Sequence, residues 1–232
     1  MQIFYTPDIA VNTELPDEEG QHAIRVLRLS EGAEILLTDG KGTFYKAAIA
    51  VANAKHCRVD ILEQWLPGKL WDFTLHIAVA PTKNMDRLEW FAEKATEIGI
   101  DAITCLNCRY SERKEVKPAR IEKILVSAMK QSQKATLPVL TGMTDFKTFV
   151  SQPFDGRKFI AHCNEGEKQL IKQIYNPGES ALVLIGPEGD FSPEEVALAL
   201  HNGFEPISLG ESRLRTETAA LVACHTLHVL NQ

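Results

Sequence analysis

The chain is 232 residues long, with 44% hydrophobic residues, 24% charged residues and a formal net charge of −6. This composition excludes a disordered chain, a collagen-like repeat and a coiled coil, and the charge argues against a protein coated with basic surface. No apolar run approaches the roughly 20 residues that span a bilayer, and the N-terminal residues lack the pattern of a signal peptide. We therefore expect a cytoplasmic protein that does not engage a membrane.

Short extended runs separated by turn residues dominate the chain up to about Leu66. The predicted strands are Glu34–Thr38, Thr43–Val51 and His56–Leu62. The residues Asp39-Gly40-Lys41-Gly42 are a hairpin signal between the first two strands, and Glu18–Leu29 is predicted as one helical stretch. The pattern predicts a small β-barrel that ends before Pro67-Gly68.

From Phe73 onward, short apolar runs alternate with helical periodicity. The predicted strands are Thr74–Ala80, Ala102–Leu106, Lys158–Cys163, Ala181–Ile185 and Pro206–Leu209. The unbroken apolar run Ala181–Ile185 is typical of a strand that is buried on both faces, as in a parallel sheet covered by helices. The sequence thus predicts an α/β C-terminal domain, and we place the two domains at residues 1–68 and 72–232.

Four helices have clear signals in this second part. They are Asp86–Ile98, Ala119–Lys134, a helix that starts after Ser192 and stops at Gly203, and a helix from about Thr218 to Leu230. Ser192 and Glu195 form the sequence pattern of a capping box. The last helix is apolar on most faces, so we expect it to be buried in the domain or against another subunit.

Residues 109–134 carry eight basic and three acidic side chains, which reverses the charge of the whole chain locally. In the predicted helix, basic residues form a stripe that is separate from the apolar face. They are Arg120, Lys123, Lys130 and Lys134. The stripe is either a solvated helix face or a track for a phosphate backbone, and the spacing alone leaves both interpretations open.

Five cysteines are an odd number in a chain large enough to fold without disulfides, which favours a reducing compartment. Cys105 and Cys108 form a C-x-x-C pattern that has no second pair beside it. This is a weak zinc signal, so we predict no metal site. His162 lies near the end of the predicted strand Lys158–Cys163, a place that suits either a pocket lining or simple packing, and it is given no role.

Glycine-rich segments follow two of the predicted strands, where an open α/β sheet binds its ligands. They are Gly186–Phe191 and Gly210–Thr218. Neither has the pattern of a dinucleotide fold or a P-loop, and Glu188 and Asp190 would repel phosphate. The segments are either ordinary tight turns or a pocket for an adenosine that carries a cationic group.

Gly186–Ser192 with Glu195, and Leu209-Gly210 leading to Leu214–Ala219, resemble the two signature segments of the RsmE-like family. Further segments along the chain resemble other motifs of that family. They are His22–Arg28, Lys83 with Asp86-Arg87, Lys94–Gly99, Ser111–Arg113 and Gln131-Ser132. The resemblance implies an S-adenosyl-L-methionine-dependent methyltransferase that makes 3-methyluridine in 16S ribosomal RNA.

The same resemblance implies a PUA-like N-terminal β-barrel and a SPOUT C-terminal domain with a deep trefoil knot. It also implies a homodimer, with 16S rRNA or the assembled small ribosomal subunit as the substrate. The implied cofactor-binding residues are Ile185, Gly186, Pro187, Glu188, Gly189, Leu209, Gly210 and Leu214. The expected RNA-binding residues are Arg25, Arg28, Arg113, Arg120, Lys123 and Lys130.

Methylation of uracil N3 requires loss of a proton while negative charge spreads onto O2 and O4. A nearby cation would stabilise that charge and a carboxylate would accept the proton, and Arg215 and Glu217 are the respective candidates. The alternative for this pair is a structural salt bridge. For Arg25 and Arg28 the alternative is packing of their aliphatic stems on the barrel.

Four residues depart from the usual pattern of the RsmE-like family. Asp190 stands where glycine is usual, Ser212-Arg213 replace Arg-Ile, and Lys134 replaces a common arginine. Two other functions stay open: a catalytically idle RNA-binding protein, and a nucleotide-dependent hydrolase that uses Glu188 and Asp190 for Mg²⁺.

Overall fold

A computed structural model describes residues 2–232 of the chain. The chain forms two compact units. The first comprises the residues up to Leu70 together with Val126–Leu137, and the second comprises Trp71–Leu125 and Pro138–Gln232. Within residues 2–232, no helix has both the length and the apolar character needed to cross a bilayer.

A four-stranded sheet in the order β1-β2-β3-β4 forms the first unit. Its strands are β1 (Ile3–Tyr5), β2 (Glu34–Thr38), β3 (Phe44–Val51) and β4 (Arg58–Trp65). The β1–β2 pair is parallel, and the other two pairs are antiparallel. The predicted hairpin is confirmed, because Asp39 Oδ1 accepts hydrogen bonds from the backbone amides of Lys41 and Thr43 at 2.7 and 3.1 Å.

Two predictions for this unit are corrected. The stretch Glu18–Leu29 is not one helix but a short α-helix, α1 (Asp17–Gln21), followed by a π-helix at His22–Val26. The helical path ends because Arg28 adopts a φ of 55°. The strand predicted to stop at Leu62 continues to Trp65, whose ring packs 5.7 Å from that of Phe44.

The second unit contains a parallel sheet of seven strands in the order β7-β6-β5-β10-β8-β11-β9. They are β5 (Leu75–Val79), β6 (Ala102–Asn107), β7 (Val139–Asp145), β8 (Arg157–Ala161), β9 (Gln169–Leu170), β10 (Ala181–Ile185) and β11 (Glu205–Ser208). The prediction of a parallel sheet is confirmed, and all five residues of β10 are buried. Strands β7 and β9 were not predicted.

Helices connect these strands. They are α2 (Met85–Ile98), α3 (Pro118–Gln131), α4 (Phe146–Val150), α5 (Ile171–Ile174), α6 (Pro193–His201) and α7 (Thr216–Leu230). The capping box of α6 is confirmed, because the Ser192 side chain accepts from the Glu195 amide and the Glu195 side chain accepts from the Ser192 amide. Helix α7 begins two residues earlier than predicted and packs against α2, β5 and β10.

Candidate active site

A cavity of about 320 Å³ lies at the carboxyl ends of three neighbouring strands of the second unit. Three parts of the chain line it: residues 161–163 at the end of β8, residues between 185 and 190 at the end of β10, and residues between 207 and 216 at the end of β11. We call the first part the 161–163 segment. Within the other two parts, the loop after β10 is called the 186–191 turn, and the loop after β11 is called the 210–215 segment. This position is the one where open α/β sheets bind ligands.

The 186–191 turn is closely packed. A Cβ atom on Gly186 would lie 3.1–3.2 Å from the ring and the amide nitrogen of Phe191, so only glycine fits there without movement. The Asp190 amide donates to the Pro187 carbonyl at 2.9 Å. Thr216 at the start of α7 donates its hydroxyl proton to the Gly186 carbonyl at 3.0 Å. These contacts fix the main chain that faces the cavity.

Glu188 extends this packing to the loop before α2. Its Oε1 accepts the Lys83 amide at 2.9 Å. From the other side, the Arg113 guanidinium donates to the carbonyls of Thr82 and Lys83 at 3.2 and 2.7 Å. The Glu188 carboxylate therefore holds a backbone amide in addition to lining the cavity.

The 210–215 segment is more open. Gly210 has a φ of +125°, and no heavy atom lies within 4 Å of the position a Cβ would take there. Side chains on this segment, among them those of Ser212, Arg213 and Arg215, are exposed. The backbone at Gly210 can therefore approach a ligand closely, while the arginines remain available to a larger substrate.

The 161–163 segment is the part of the cavity to which the sequence analysis assigned no role. It contributes His162 and Cys163. Among the described residues no hydrogen-bond partner is found for the buried His162 Nδ1, and burial lowers the pKa of this imidazole. The sequence signal was the polar pair His162 and Cys163 at the end of a predicted strand. This signal identifies a cavity residue only when the sheet order is known, because β8 lies between β10 and β11.

The structure brings seven of the eight predicted cofactor residues together around the cavity. They are Ile185, Gly186, Pro187, Glu188, Leu209, Gly210 and Leu214. The eighth, Gly189, is outside the lining, and a Cβ atom placed on it would lie 3.1 Å from the Cβ of Tyr110. Their roles toward a cofactor stay a prediction.

The two catalytic candidates occupy different surroundings. Arg215 lines the cavity and is exposed. Glu217, in the first turn of α7, is only 8% exposed and is outside the cavity lining. Its Oε1 lies 3.7 Å from Arg87 Nε, and its buried Oε2 has no hydrogen-bond partner among residues 2–232. The Glu217 carboxylate is thus paired with α2 and retains one oxygen to accept a proton.

The predicted RNA-binding residues fall into two groups. Arg113 and Arg120 line a cleft of about 710 Å³ between the starts of α2 and α3, and Lys123 is exposed one turn further along α3. Arg120 Nε is 2.6 Å from Glu89 Oε1. An RNA phosphate that contacts Arg120 would therefore have to compete with the Glu89 carboxylate.

Lys130, Arg25 and Arg28 belong to the first unit. The two arginines are exposed on and just after the π-helix. Lys130 Nζ lies 2.6 Å from Glu19 Oε1, and both side chains are mostly buried. This pair would have to open before Lys130 could contact a phosphate.

Among the residues that the structure describes, the fold brings no further metal-binding side chains to the C-x-x-C pattern of Cys105 and Cys108 that the sequence analysis considered for zinc. Cys105 and Cys108 are buried, and burial raises the pKa of the Cys105 thiol to about 12. Within residues 2–232, no group of three or more His, Cys, Asp and Glu side chains is arranged to hold a metal ion.

The fold and the cavity define an open α/β protein with a nucleoside-sized ligand pocket at the carboxyl ends of its strands. An RNA methyltransferase domain model matches residues 69–228, and an RNA methyltransferase PUA domain model matches residues 15–62. The chain therefore belongs to the RNA methyltransferase family.

Named relatives match the chain over nearly its whole length. Ribosomal RNA small subunit methyltransferase E of Rickettsia conorii is 28% identical and covers 99% of this chain and 95% of its own. Among solved structures, a probable rRNA-methyltransferase from Porphyromonas gingivalis is 45% identical, with a TM-score of 0.95 over 100% of this chain and 98% of its own. The Neisseria gonorrhoeae ribosomal RNA small subunit methyltransferase E, bound to S-adenosyl methionine, is 28% identical with a TM-score of 0.87 and covers 99% and 98%.

Proposed function

We propose that this chain transfers a methyl group from S-adenosyl-L-methionine to N3 of a uridine in 16S ribosomal RNA, in the cytoplasm. The observation that carries the proposal is the cavity formed by the 186–191 turn and the 210–215 segment. The gonococcal relative, solved with S-adenosyl methionine, supports the methyl donor. Relatives named for the small ribosomal subunit support the choice of RNA.

The proposal includes the finer features that the family resemblance implies. They are a PUA-like barrel within residues 1–68, and a SPOUT domain with a deep trefoil knot within residues 72–232. The PUA-domain match and the four-stranded sheet support the barrel. The hydrogen bond from Thr216 to Gly186 brings the start of α7 against the 186–191 turn, and the knot would be formed there.

A homodimer is also part of the proposal. Trp90 of α2 and Val229 of α7 are 43% and 50% exposed, although α2 and α7 pack on one another. Large apolar side chains at the edge of a helix pair are suited to burial against a second copy of the chain.

The cavity suits the donor in size and chemistry. Its volume of about 320 Å³ and the open space at Gly210 leave room for an adenosine, and the Glu188 and Asp190 carboxylates would complement a cationic group. When bound, S-adenosyl-L-methionine supplies a methyl group that its sulfonium already activates. The protein's task is then to align N3 of the uracil and to manage one proton.

Arg215 and Glu217 carry the two remaining roles. The exposed Arg215 guanidinium would stabilise the negative charge that spreads onto O2 and O4 as N3 loses its proton. Glu217 would accept that proton through its unpartnered Oε2, while Arg87 holds the other oxygen. Because Glu217 is outside the cavity lining, the proton would reach it through a small shift of the side chain or a water.

RNA binding would use the cations of both units. Arg113, Arg120 and Lys123 supply phosphate contacts in the second unit, and Arg25, Arg28 and Lys130 supply them in the first. Each neutralised phosphate adds affinity that falls as the salt concentration rises. The substrate is either naked 16S rRNA or the assembled small subunit.

The test is methyl transfer to small subunits and to naked 16S rRNA from a strain that lacks this modification. Mass spectrometry of the digested RNA should find 3-methyluridine, and calorimetry should find S-adenosyl-L-methionine binding to the isolated protein. Binding of RNA without binding of the donor would instead support the catalytically idle alternative. Methylation at another atom would overturn the assignment of N3.

A further inference from the structure

Asp190 is the one residue of the cavity lining that adopts a left-handed backbone conformation without being glycine. Its φ is +65°. Aspartate tolerates this region better than most residues, yet the conformation still disfavours any side chain relative to glycine. A carboxylate at this position therefore needs a compensating interaction.

Two hydrogen bonds supply that compensation. Asp190 Oδ2 accepts the Cys163 amide at 2.8 Å, and Asp190 Oδ1 accepts the Phe191 amide at 2.8 Å. A third bond runs in parallel, from the Asn164 side chain to the Phe191 carbonyl at 3.0 Å. Asp190 thereby joins the 161–163 segment after β8 to the 186–191 turn after β10.

The carboxylate also places a negative charge at the cavity wall. Asp190 is partly buried, whereas Glu188 and the cations Arg213 and Arg215 that share the cavity are exposed. Solvent screens exposed charges more strongly than partly buried ones. At equal distance, the Asp190 charge therefore acts on a ligand more strongly than the charge of an exposed neighbour does.

The proposed reaction changes the charge of its donor at one atom. S-adenosyl-L-methionine carries a sulfonium cation, and S-adenosylhomocysteine, the product, carries a neutral thioether. The two molecules otherwise share their adenosine and amino-acid groups. A wall charge that attracts the sulfonium therefore favours the donor over the product.

We propose that Asp190 is a specificity-determining residue: it ties the 161–163 segment to the 186–191 turn, and its negative charge makes the cavity prefer the cationic donor to the neutral product. This inference rests on the proposed function. It implies that loss of the methyl group weakens binding, so that the product leaves the site and a new donor replaces it.

Isothermal titration calorimetry with S-adenosyl-L-methionine and with S-adenosylhomocysteine tests the inference on full-length protein. Asp190→Asn keeps the size of the side chain and removes the charge, but its amide nitrogen cannot accept an N–H, so one of the two hydrogen bonds, from Cys163 or from Phe191, is lost as well. That loss should weaken both ligands alike, whereas loss of the charge should act on the donor alone. Asp190→Gly keeps the backbone conformation and removes both the charge and the connection. Glu194→Gln is the matched control, because it removes one charge from the exposed start of α6, outside the cavity. The unfolding temperature of each ligand-free variant shows whether it is folded.

We expect Asp190→Asn to reduce the preference for donor over product about fivefold at low salt, with a smaller reduction at high salt. Asp190→Gly should lose the same preference and bind both ligands more weakly. Glu194→Gln should keep the preference of the unmodified chain. An unchanged preference in folded Asp190→Asn, or an equal loss of both affinities, overturns the inference. Failure of the unmodified chain to bind either ligand would instead overturn the proposed function.

Discussion

The 186–191 turn and the 210–215 segment line the same cavity but are built in opposite ways. In the turn, Gly186 is packed against Phe191, and the Glu188 side chain accepts a backbone amide of a neighbouring loop. In the segment, the Cβ direction of Gly210 is open and the arginine side chains are exposed. A turn held by its own contacts keeps a fixed shape, whereas exposed arginines can meet a large substrate.

This difference indicates that the 186–191 turn and the 210–215 segment have separate roles. We expect the fixed main chain of the turn to determine donor affinity, with a smaller contribution from the backbone at Gly210, and the arginine side chains of the segment to determine turnover. Substitutions of the turn and of the arginines should then change different kinetic quantities.

The largest effect is expected at Arg215. Because its guanidinium would stabilise charge that develops only in the transition state, Arg215→Ala should lower kcat at least about 100-fold. The dissociation constant of S-adenosyl-L-methionine should change far less. Single-turnover methylation of small subunits and calorimetry measure the two quantities.

Arg213→Ala is the matched control, since Arg213 lies on the same segment, lines the same cavity and is also exposed. It should lower kcat much less than Arg215→Ala. Equal losses in the two variants would mean that the segment supplies general positive charge and that Arg215 has no particular role. Loss of donor binding in Arg215→Ala would contradict the division between the turn and the segment.

The next effect is expected in the turn. A Cβ on Gly186 must push the Phe191 ring or amide, which lie 3.1–3.2 Å away. Overpacking of this kind costs about 2 kcal/mol, so Gly186→Ala should weaken donor binding about 30-fold. Calorimetry measures the change, and kcat at saturating donor should fall much less.

Gly142→Ala makes the same chemical change in strand β7, where the added Cβ would lie at an ordinary 3.5 Å from Pro118. Donor affinity should be unaffected there. If Gly186→Ala binds the donor normally, the turn does not shape the binding site.

Much of this cavity could be predicted because its signals are local. The run Ala181–Ile185 coincides with β10, and the capping box at Ser192 fixes the start of α6. The 186–191 turn lies between them. The strand, the turn and the helix can therefore all be predicted from about 15 consecutive residues, because burial of apolar runs and helix capping are local signals. The role of each residue toward the donor is a separate question that local rules leave open.

The rest depends on contacts between distant parts of the chain. The 161–163 segment joins the cavity only because β8 pairs with both β10 and β11, and no local pattern encodes that order. Strand β7 was missed because it lies at the sheet edge with none of its residues buried, and because Gly142 interrupts its interior. The partner of Glu217 is Arg87, more than a hundred positions earlier in the sequence.

A smaller effect is expected at Gly210. An added Cβ has space, but a φ of +125° is disfavoured for any residue except glycine. The strain costs about 1.4 kcal/mol or more, so Gly210→Ala should weaken donor binding about tenfold if the segment must keep this conformation around the ligand. Gly166→Ala is the control, because Gly166 has a φ of +134°, open space and no place in the cavity lining. Similar affinity losses in both variants would indicate a general effect on stability.

The smallest effect concerns the third segment of the cavity. Cys163 is exposed and lines the cavity, whereas the other four cysteines are buried, and burial raises the pKa of the Cys105 and Cys224 thiols to about 12. A maleimide at pH 8 should therefore label Cys163 first, because Cys163 is accessible, whereas burial shields the other four thiols. Saturating S-adenosyl-L-methionine should slow this labelling about fivefold, since only the unoccupied fraction of the protein would react freely. Intact-protein mass spectrometry follows the reaction, and Cys163→Ser identifies the labelled site.

The contradicting outcome is an equal labelling rate with and without the donor, in protein that calorimetry shows to be saturated. It would mean that the donor leaves the 161–163 segment uncovered and contacts only the 186–191 turn and the 210–215 segment.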